Sequence, residues 1–362
     1  MYSSLPGLQH PKESMIPPSS PTVSRASCDV VILGAGLIGL ATALELANRG
    51  ASVTVIERDR MLAAASTAAA GMLAADDPCN HDSLRGLSRL SIQRYPEFLH
   101  RIEHLSGLPI PFQTETTLQY MAGGPALRLQ ERSIDPRQLA SSLLAAIRAT
   151  SIQVVEKTRV SAIKAKPSGS ELHLEDGSCI SAGAILFATG AWTAETSNAL
   201  VGKPLSVSPR KGQMLRVRIS PPHSFREVHR SERIYIVPRT HGPQAGTAVI
   251  GATVEEVGFD TTVCGRDLDG LRALAAALLP WLGSAEEAPM VESWAGLRPA
   301  TPDLLPMLGA GLHRGHFIAT GHYRNGILLA PATAVVMADL IEGKSPGVNL
   351  SDFSPLRFHS EP

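Results

Sequence analysis

Residues 29–57 read Asp29-Val-Val-Ile-Leu-Gly34-Ala-Gly36-Leu-Ile-Gly39-Leu-Ala-Thr-Ala-Leu-Glu-Leu-Ala-Asn48-Arg-Gly50-Ala-Ser52-Val-Thr-Val-Ile-Glu57. Asp29–Leu33 is a short run of β-formers, suited to a strand buried on both faces of a parallel sheet. The glycines from Gly34 to Gly39 interrupt it. Leu37 to Asn48 is rich in Ala and Leu and reads as a helix, with Gly50 just beyond its end, where glycine is favoured. Ser52–Ile56 is a second strand and Glu57 stands at its C-terminal end.

The spacing Gly34-x-Gly36-x-x-Gly39 fits the dinucleotide fingerprint. The first glycine permits a tight turn, the second lets backbone approach a pyrophosphate, and the third lets helix pack on strand. The helix N-terminus then offers free N–H groups and a positive dipole end to the phosphates. A lone match of this kind is weak. Here it follows a strand, opens a helix, and has an acidic residue 18 positions after Gly39 at a strand end. Glu57 can accept hydrogen bonds from ribose hydroxyls and would repel a 2′-phosphate, which disfavours NADP.

Outward from this unit, residues 63–75 form a loop or helix start rich in Ala and Ser, and 81–105 reads as one or two helices. Thr117–Met121 is a strand, 136–149 a helix and Ile152–Val155 a strand. Val160–Ile180 is a hairpin turning at Asp176-Gly177, and Ala184–Ala188 is again a buried strand. Gln213–Ile219, Ile234–Val237 and Ala248–Thr253 alternate as strands of one mostly antiparallel sheet. Leu268–Leu279 is a helix, His316–Thr320 a strand, Gly321–Gly326 a loop and Ile327–Ile341 a helix. The fold class is α/β with an α+β part: a Rossmann-like domain with a mostly parallel sheet, interleaved with an antiparallel-sheet substrate domain. Residues 28–90, 131–203 and 291–345 are assigned to the first domain and 91–130 and 204–290 to the second. Residues 1–27, rich in Ser and Pro, are expected to be a disordered leader, and 346–362 a tail.

Over 362 residues, hydrophobic side chains make up 44% and charged ones 18%, as in ordinary globular proteins. Thirty-three basic residues balance 33 acidic ones, so no global field draws the chain to nucleic acid or an anionic membrane. No stretch approaches the roughly 20 apolar residues that span a bilayer. Four scattered cysteines with no CxxC pair suit a reducing cytoplasm. His100 and His104 are spaced for a metal, but no third ligand accompanies them, and His313 with His316 has the same bland explanation; no metal is expected. No GxSxG elbow marks a hydrolase, and neither a second GxGxxG nor a redox cysteine pair is present.

Three further stretches favour FAD over NAD. Ser66–Met72 supplies small residues where backbone could meet a flat ring. Phe187-Ala-Thr-Gly190 ends a late strand in glycine. Ala319–Gly326 opens a helix whose positive end suits negative charge on a reduced flavin.

With these pieces in order, the sequence resembles the glycine oxidase and D-amino-acid oxidase family of flavoproteins, most of all the glycine oxidases of thiamine (thiazole) biosynthesis. The likeness runs from about Asp29 to about Ile341. It is carried by Ser66–Leu73, Tyr235-Ile-Val-Pro-Arg239, Gly251-Ala-Thr253, Trp294-Ala-Gly-Leu-Arg-Pro299 and Gly321-His-Tyr-Arg-Asn-Gly-Ile-Leu-Leu-Ala-Pro331. The resemblance implies that Leu37, Ile38, Glu57, Arg58, Ala65, Ser66, Ala70, Gly71 and Met72 contact FAD. It also implies a backbone contact from Val160 to the adenine, and that His322, Tyr323, Arg324, Asn325, Gly326, Ile327 and Leu328 wrap the isoalloxazine. Gly34, Gly36, Gly39 and Gly190 complete the expected cofactor set.

The resemblance further implies that Arg298 clamps a substrate carboxylate, Tyr235 adds a hydroxyl donor, and Arg324 is a second substrate-side contact. A guanidinium suits that task because it grips a carboxylate bidentately in a low-dielectric site. Related sarcosine oxidases attach their flavin through a Cys near a Thr-Pro-Asp motif. Gly296–Asp303 has no Cys, so FAD should be non-covalent. Val254 and Arg233 depart from residues some relatives carry near the substrate pocket, which leaves sarcosine or a D-amino acid as alternatives to glycine. A flavin protein without amine turnover is a third alternative. The implied reaction passes hydride from a small amino acid to the flavin, with dioxygen reduced to hydrogen peroxide and the imine hydrolysed or used in thiazole synthesis. The implied assembly is a homo-oligomer, with a tetramer as one form.

Overall fold

A computed structural model describes residues 25–311 and 313–358. The strand Arg25–Leu33 lies inside a sheet of order Met307–Ala310, His316–Thr320, Cys179–Phe187, Arg25–Leu33, Val53–Ile56, Gln153–Val155. Its central pairings are parallel. Alternation along the strand explains why its run of apolar residues is unbroken. Val30 and Ile32 face one core with the helices Leu37–Asn48 and Gly326–Ile341. Val31 and Leu33 face a second core with Ile185, Phe187 and Leu205. The helix Leu37–Asn48 is buried along most of its length because the Gly326–Ile341 helix covers the side the sheet leaves open.

A second sheet has the order Met290–Ala300, Ser208–Arg218, Thr247–Gly251, Tyr235–Arg239, Val228–Ser231, Thr117–Tyr120, Leu127–Leu129. It is antiparallel except where Val228–Ser231 runs parallel to Thr117–Tyr120. One face packs on the helix Gly265–Ala276. The other meets the loop Ala68–Met72 of the first unit, where Ala70, Met214, Val237 and Val249 form a small core. The long helix Leu84–Ser106 runs unbroken through Pro96 and stops at left-handed Gly107. Asp135 caps the helix Pro136–Arg148 by accepting the Arg137 N–H at 2.9 Å.

Several boundaries differ from the sequence expectation. The leader assigned to 1–27 lies outside the described residues up to 24, but Arg25–Ser27 already pair with Cys179–Ser181 and belong to the sheet. The hairpin at 160–180 is part of a three-stranded meander, Val160–Lys166, Gly169–Leu174 and Cys179–Phe187. Asp176-Gly177 turns only its second half; the first turn, Pro167-Ser168, closes at Gly169, where φ is +146°. Met290–Ala300 was not expected as a strand. It lies in the antiparallel sheet, while Met307–Ile341, the rest of the 291–345 segment, stays with the parallel one. No helix of the described residues is long and apolar enough to cross a membrane.

Candidate active site

A cleft of about 1030 Å³ opens between the C-terminal ends of the parallel strands and the antiparallel sheet. That is where an open α/β sheet binds its ligand. Two helix N-termini face it, those of Leu37–Asn48 and Gly326–Ile341, and in neither does the N-cap residue's own side chain bond the helix. Their free N–H groups and dipoles make both ends of the cleft receptive to negative charge.

At the first end the three glycines have different reasons. A Cβ at Gly39 would lie 2.0 Å from the Gly34 carbonyl oxygen, and one at Gly34, where φ is +103°, 2.5 Å from that of Ala188. Protein packing alone demands both. A Cβ at Gly36 would meet only the Ser66 hydroxyl, at 3.6 Å, so the protein leaves that space open toward the cleft. Glu57 accepts the Ala35 N–H at 2.8 Å and the Asp59 N–H at 2.9 Å, one on each oxygen. A carboxylate has about four lone-pair sites, so capacity remains for ligand hydroxyls. The Leu37 N–H donates to Ser66 at 2.9 Å. Arg58 stacks over the Trp192 ring at 4.0 Å, and Trp192 in turn stacks on Phe259.

At the other end, Tyr235 and Arg298 come from different strands of the antiparallel sheet. The Arg298 guanidinium donates to the carbonyls of Lys211 (3.4 Å) and Thr253 (3.1 Å). These neutral partners orient it without cancelling its charge. Burial pushes the Tyr235 phenol up, only partly offset by Arg298 and Arg324, so it stays a neutral donor. Arg324 is exposed on the cleft wall. Its loop is tied down where the Tyr323 N–H donates to the Pro299 carbonyl at 2.8 Å, beside Arg298. Tyr323 has a φ of +46°, a conformation that costs of order 1 kcal/mol and is held by that contact.

Two glycines shape this end. A Cβ at Gly212 would sit 2.2 to 2.4 Å from the Arg298 guanidinium, and one at Gly251 2.6 Å from the Tyr235 hydroxyl. Gly212→Ala should leave folding unchanged, since only the far end of Arg298 must move. It should lower kcat/KM for the substrate by about tenfold or more, because sub-ångström misplacement of a binding group is costly; steady-state kinetics with a melting curve check this.

The family model described as FAD dependent oxidoreductase matches residues 29–132 and 121–340. The chain belongs to this FAD-dependent oxidoreductase family. It is 33% identical to the glycine oxidase of Geobacillus kaustophilus (strain HTA426), over 91% of this chain and 97% of that protein. It is 35% identical to the bifunctional protein ThiO/ThiG of Trichormus variabilis (strain ATCC 29413 / PCC 7937), over 92% of this chain. The chain spans only about half of that relative, 55% of its length. The crystal structure of glycine oxidase from Geobacillus kaustophilus superposes with a TM-score of 0.84 at 31% identity, covering 92% of this chain and 100% of that one.

FAD is the cofactor of the family, and the cleft suits it: an open cradle at Gly36, a helix N-terminus beside it, and Glu57 with unused acceptors. Of the residues expected to bind it, Gly34, Gly36, Leu37, Ile38, Glu57, Arg58, Ala65, Ser66, Ala70, Gly71, Met72, Val160 and Gly190 line the cleft. So do His322, Tyr323, Arg324, Asn325, Gly326 and Ile327, together with Tyr235 and Arg298. Gly39 and Leu328 are not on its wall. Gly39 packs the helix on the strand, and Leu328 is buried in the core, where its carbonyl accepts from Ser91 at 2.5 Å. Val254, 59% exposed, and Arg233, also exposed, do not line the cleft either, although the Thr253 carbonyl beside Val254 accepts from Arg298. Sequence reading missed Trp192, Met214, Asp77, Cys79 and Phe259 on the wall. Only Trp192, directly after Gly190-Ala191, offered a local signal.

Glu171, His173 and Cys179 bring one metal-ligating atom each within 4.8 Å of one another, another grouping not foreseen. Hydrogen bonds between His173 and both neighbours, and Lys166 at 3.4 Å from the carboxylate, account for it without an ion.

Two buried histidines predict acid sensitivity. Burial lowers His316 to about 4, with a lesser contribution from His313, and lowers His322 to about 3. The unfolded chain binds these protons near pH 6.5 and the folded one does not, so stability falls as pH drops below that value. The loss should be roughly 2 kcal/mol per histidine by about pH 4.5. Denaturant titrations between these pH values should show a shallower slope for His316→Asn and His322→Gln.

Proposed function

We propose that this chain is an FAD-dependent amino-acid oxidase whose substrate is glycine and whose imine product feeds thiamine thiazole formation. The observation that carries the reading is an oriented guanidinium, Arg298, and a neutral phenol, Tyr235, on the wall of an FAD cleft. The carboxylate of a small amino acid would be taken by Arg298 through a charge-assisted fork, with Tyr235 donating to the same group. Arg324 adds a second positive charge nearby. Both guanidinium charges disfavour an ammonium beside them, so they help the substrate amine to lose its proton on binding. Residues of the Gly36–Ile38 turn, Glu57, Ser66 and Ala70–Met72 would hold the cofactor, with the His322–Ile327 loop closing over it. When bound, FAD supplies the two-electron acceptor chemistry and its return to dioxygen. The remaining work falls to orientation by Arg298, Tyr235 and the loop.

Glycine is favoured over larger amines because its name recurs among the similar proteins and because the departures at Val254 and Arg233 lie off the cleft wall. The family resemblance also supports a cytoplasmic homo-oligomer, which fractionation and light scattering test. Anaerobic glycine should bleach the flavin spectrum of the holoprotein, and aerobic turnover should release hydrogen peroxide. A panel of glycine, sarcosine and D-alanine ranks the substrates; no bleaching with any small amino acid would refute the proposal.

A further inference from the structure

Two strands of the antiparallel sheet each carry a substrate-side group and, four residues away on the same face, a group that reaches the loop Ala68–Met72. On Met290–Ala300 they are Arg298 and Trp294; on Tyr235–Arg239 they are Tyr235 and Arg239. Four residues along a strand span about 13 Å. Trp294 stands opposite Met214, Met214 opposite Gly251, and Gly251 opposite Tyr235, so Trp294 and Tyr235 share one row across the sheet. The two outer strands of that row run in opposite directions. Arg298 therefore lies toward one end of the face and Arg239 toward the other.

The Trp294 indole N–H donates to the Ala68 carbonyl at 3.0 Å, and Arg239 Nη2 donates to the Ala70 carbonyl at 2.8 Å. Gly296, between Trp294 and Arg298, lets Ala68 pack closely: a Cβ there would lie 2.6 Å from that of Ala68. Arg137 and Arg216 both lie over the Trp294 ring, at 4.7 and 5.6 Å, and Glu292 bridges the two guanidiniums. The indole is thus held in place from its own side of the sheet.

Arg239 is costly where it stands. It is 2% exposed, its nearest carboxylate, Asp135, is 3.9 Å away, and its Nε and Nη1 have no hydrogen-bond partner among the described residues. Burial lowers its pKa to about 10, which leaves it charged at neutral pH. A hydrophobic residue would fill the space at less cost, so packing does not explain the cation. Its bond to the Ala70 carbonyl does. In a trans peptide the N–H points opposite to the carbonyl, so the Gly71 N–H points away from Arg239, and Gly71 lines the cleft. A charge-assisted bond on the carbonyl polarises that peptide and strengthens its N–H as a donor.

We propose that Trp294 and Arg239 are positioning residues that lock the cofactor-facing loop Ala68–Met72 onto the strands bearing Arg298 and Tyr235, and that Arg239 also polarises the Ala70–Gly71 peptide toward the flavin. This rests on FAD occupying the cleft; only its kinetic arm rests on amino-acid oxidation. The variants are Trp294→Phe, which removes the N–H and one ring of the indole but keeps an aromatic face, and Arg239→Met combined with Asp135→Asn, which removes both buried charges while an Asn still caps the helix. Arg239→Lys retains the charge.

FAD affinity, measured by titrating apoprotein, should weaken by about tenfold in the first two variants. Their kcat should fall by a similar factor, while KM for glycine stays within about threefold because Arg298 and Tyr235 are untouched. The flavin midpoint potential should move to a more negative value in Arg239→Met/Asp135→Asn and return toward the parent value in Arg239→Lys. The proposal is overturned if folded Trp294→Phe and Arg239→Met/Asp135→Asn keep FAD affinity, potential and kcat within about twofold of the parent. Should the double variant fail to fold, FAD affinity and kcat within about twofold of the parent in Trp294→Phe overturn it equally. If no amino acid reduces the parent flavin, the functional reading fails, while affinity and potential still decide this one.

Discussion

Replacing Arg298 with Met should lower kcat/KM for glycine by about 10²- to 10³-fold while FAD remains bound, a loss that corresponds to about 3–4 kcal/mol. A carboxylate entering a partly closed cleft gives up water and needs a cation in return, and removing one partner of such a pair costs more than the pair's net worth. Arg298 is only partly buried, which places the effect at the lower end of the range for buried pairs. Most of the change should appear in KM, since the carboxylate is bound in ground and transition state alike. Lys at this position should recover only part of the loss, because a point charge lacks the planar fork that Lys211 and Thr253 carbonyls now orient. Steady-state kinetics alongside the flavin absorbance of purified protein provide the check. A kcat/KM within about fivefold of the parent would remove Arg298 from the substrate site.

The second large effect separates two glycines of one motif. Gly36→Ser should weaken FAD binding by about a hundredfold and leave the apoprotein melting temperature equal or higher. The new hydroxyl can cap the helix Leu37–Asn48, whose N-cap glycine has no side chain to do so, and its Cβ meets only the Ser66 hydroxyl at 3.6 Å. The same hydroxyl occupies the N–H groups and the space that a pyrophosphate requires. Gly39→Ala should do the opposite first: its Cβ, 2.0 Å from the Gly34 carbonyl, must push the helix off the strand, at a cost of roughly 3 kcal/mol. Cofactor loss would then follow from unfolding. Apoprotein melting and FAD titration of both variants distinguish these cases, and a Gly36→Ser protein with parental FAD affinity would contradict the cradle.

The front of the chain was legible because its determinants are local. The bounds Leu37–Asn48 and His316–Thr320 agree with what periodicity and glycine placement indicated, and alternation alone explains how Val30 to Leu33 serve two cores. The strand Met290–Ala300 was not legible. It contains Gly296, Pro299, Glu292 and Arg298, which argue against a strand, and its pairing partner Ser208–Arg218 lies far earlier in the chain. Arg298 was therefore found through resemblance and not through its own pattern.

By itself the sequence determined the nucleotide-binding unit, since turn conformation, helix start and strand burial depend on residues a few positions apart. It could not reveal why Gly212 and Gly251 must be glycines, because the side chains they make room for come from other strands. Nor could it show that Trp294 and Arg239 hold the loop Ala68–Met72, since those hydrogen bonds join residues more than a hundred positions apart. Tertiary structure alone decided these points: only a folded sheet brings Arg298 and Tyr235 to one wall and turns a buried cation toward a single carbonyl.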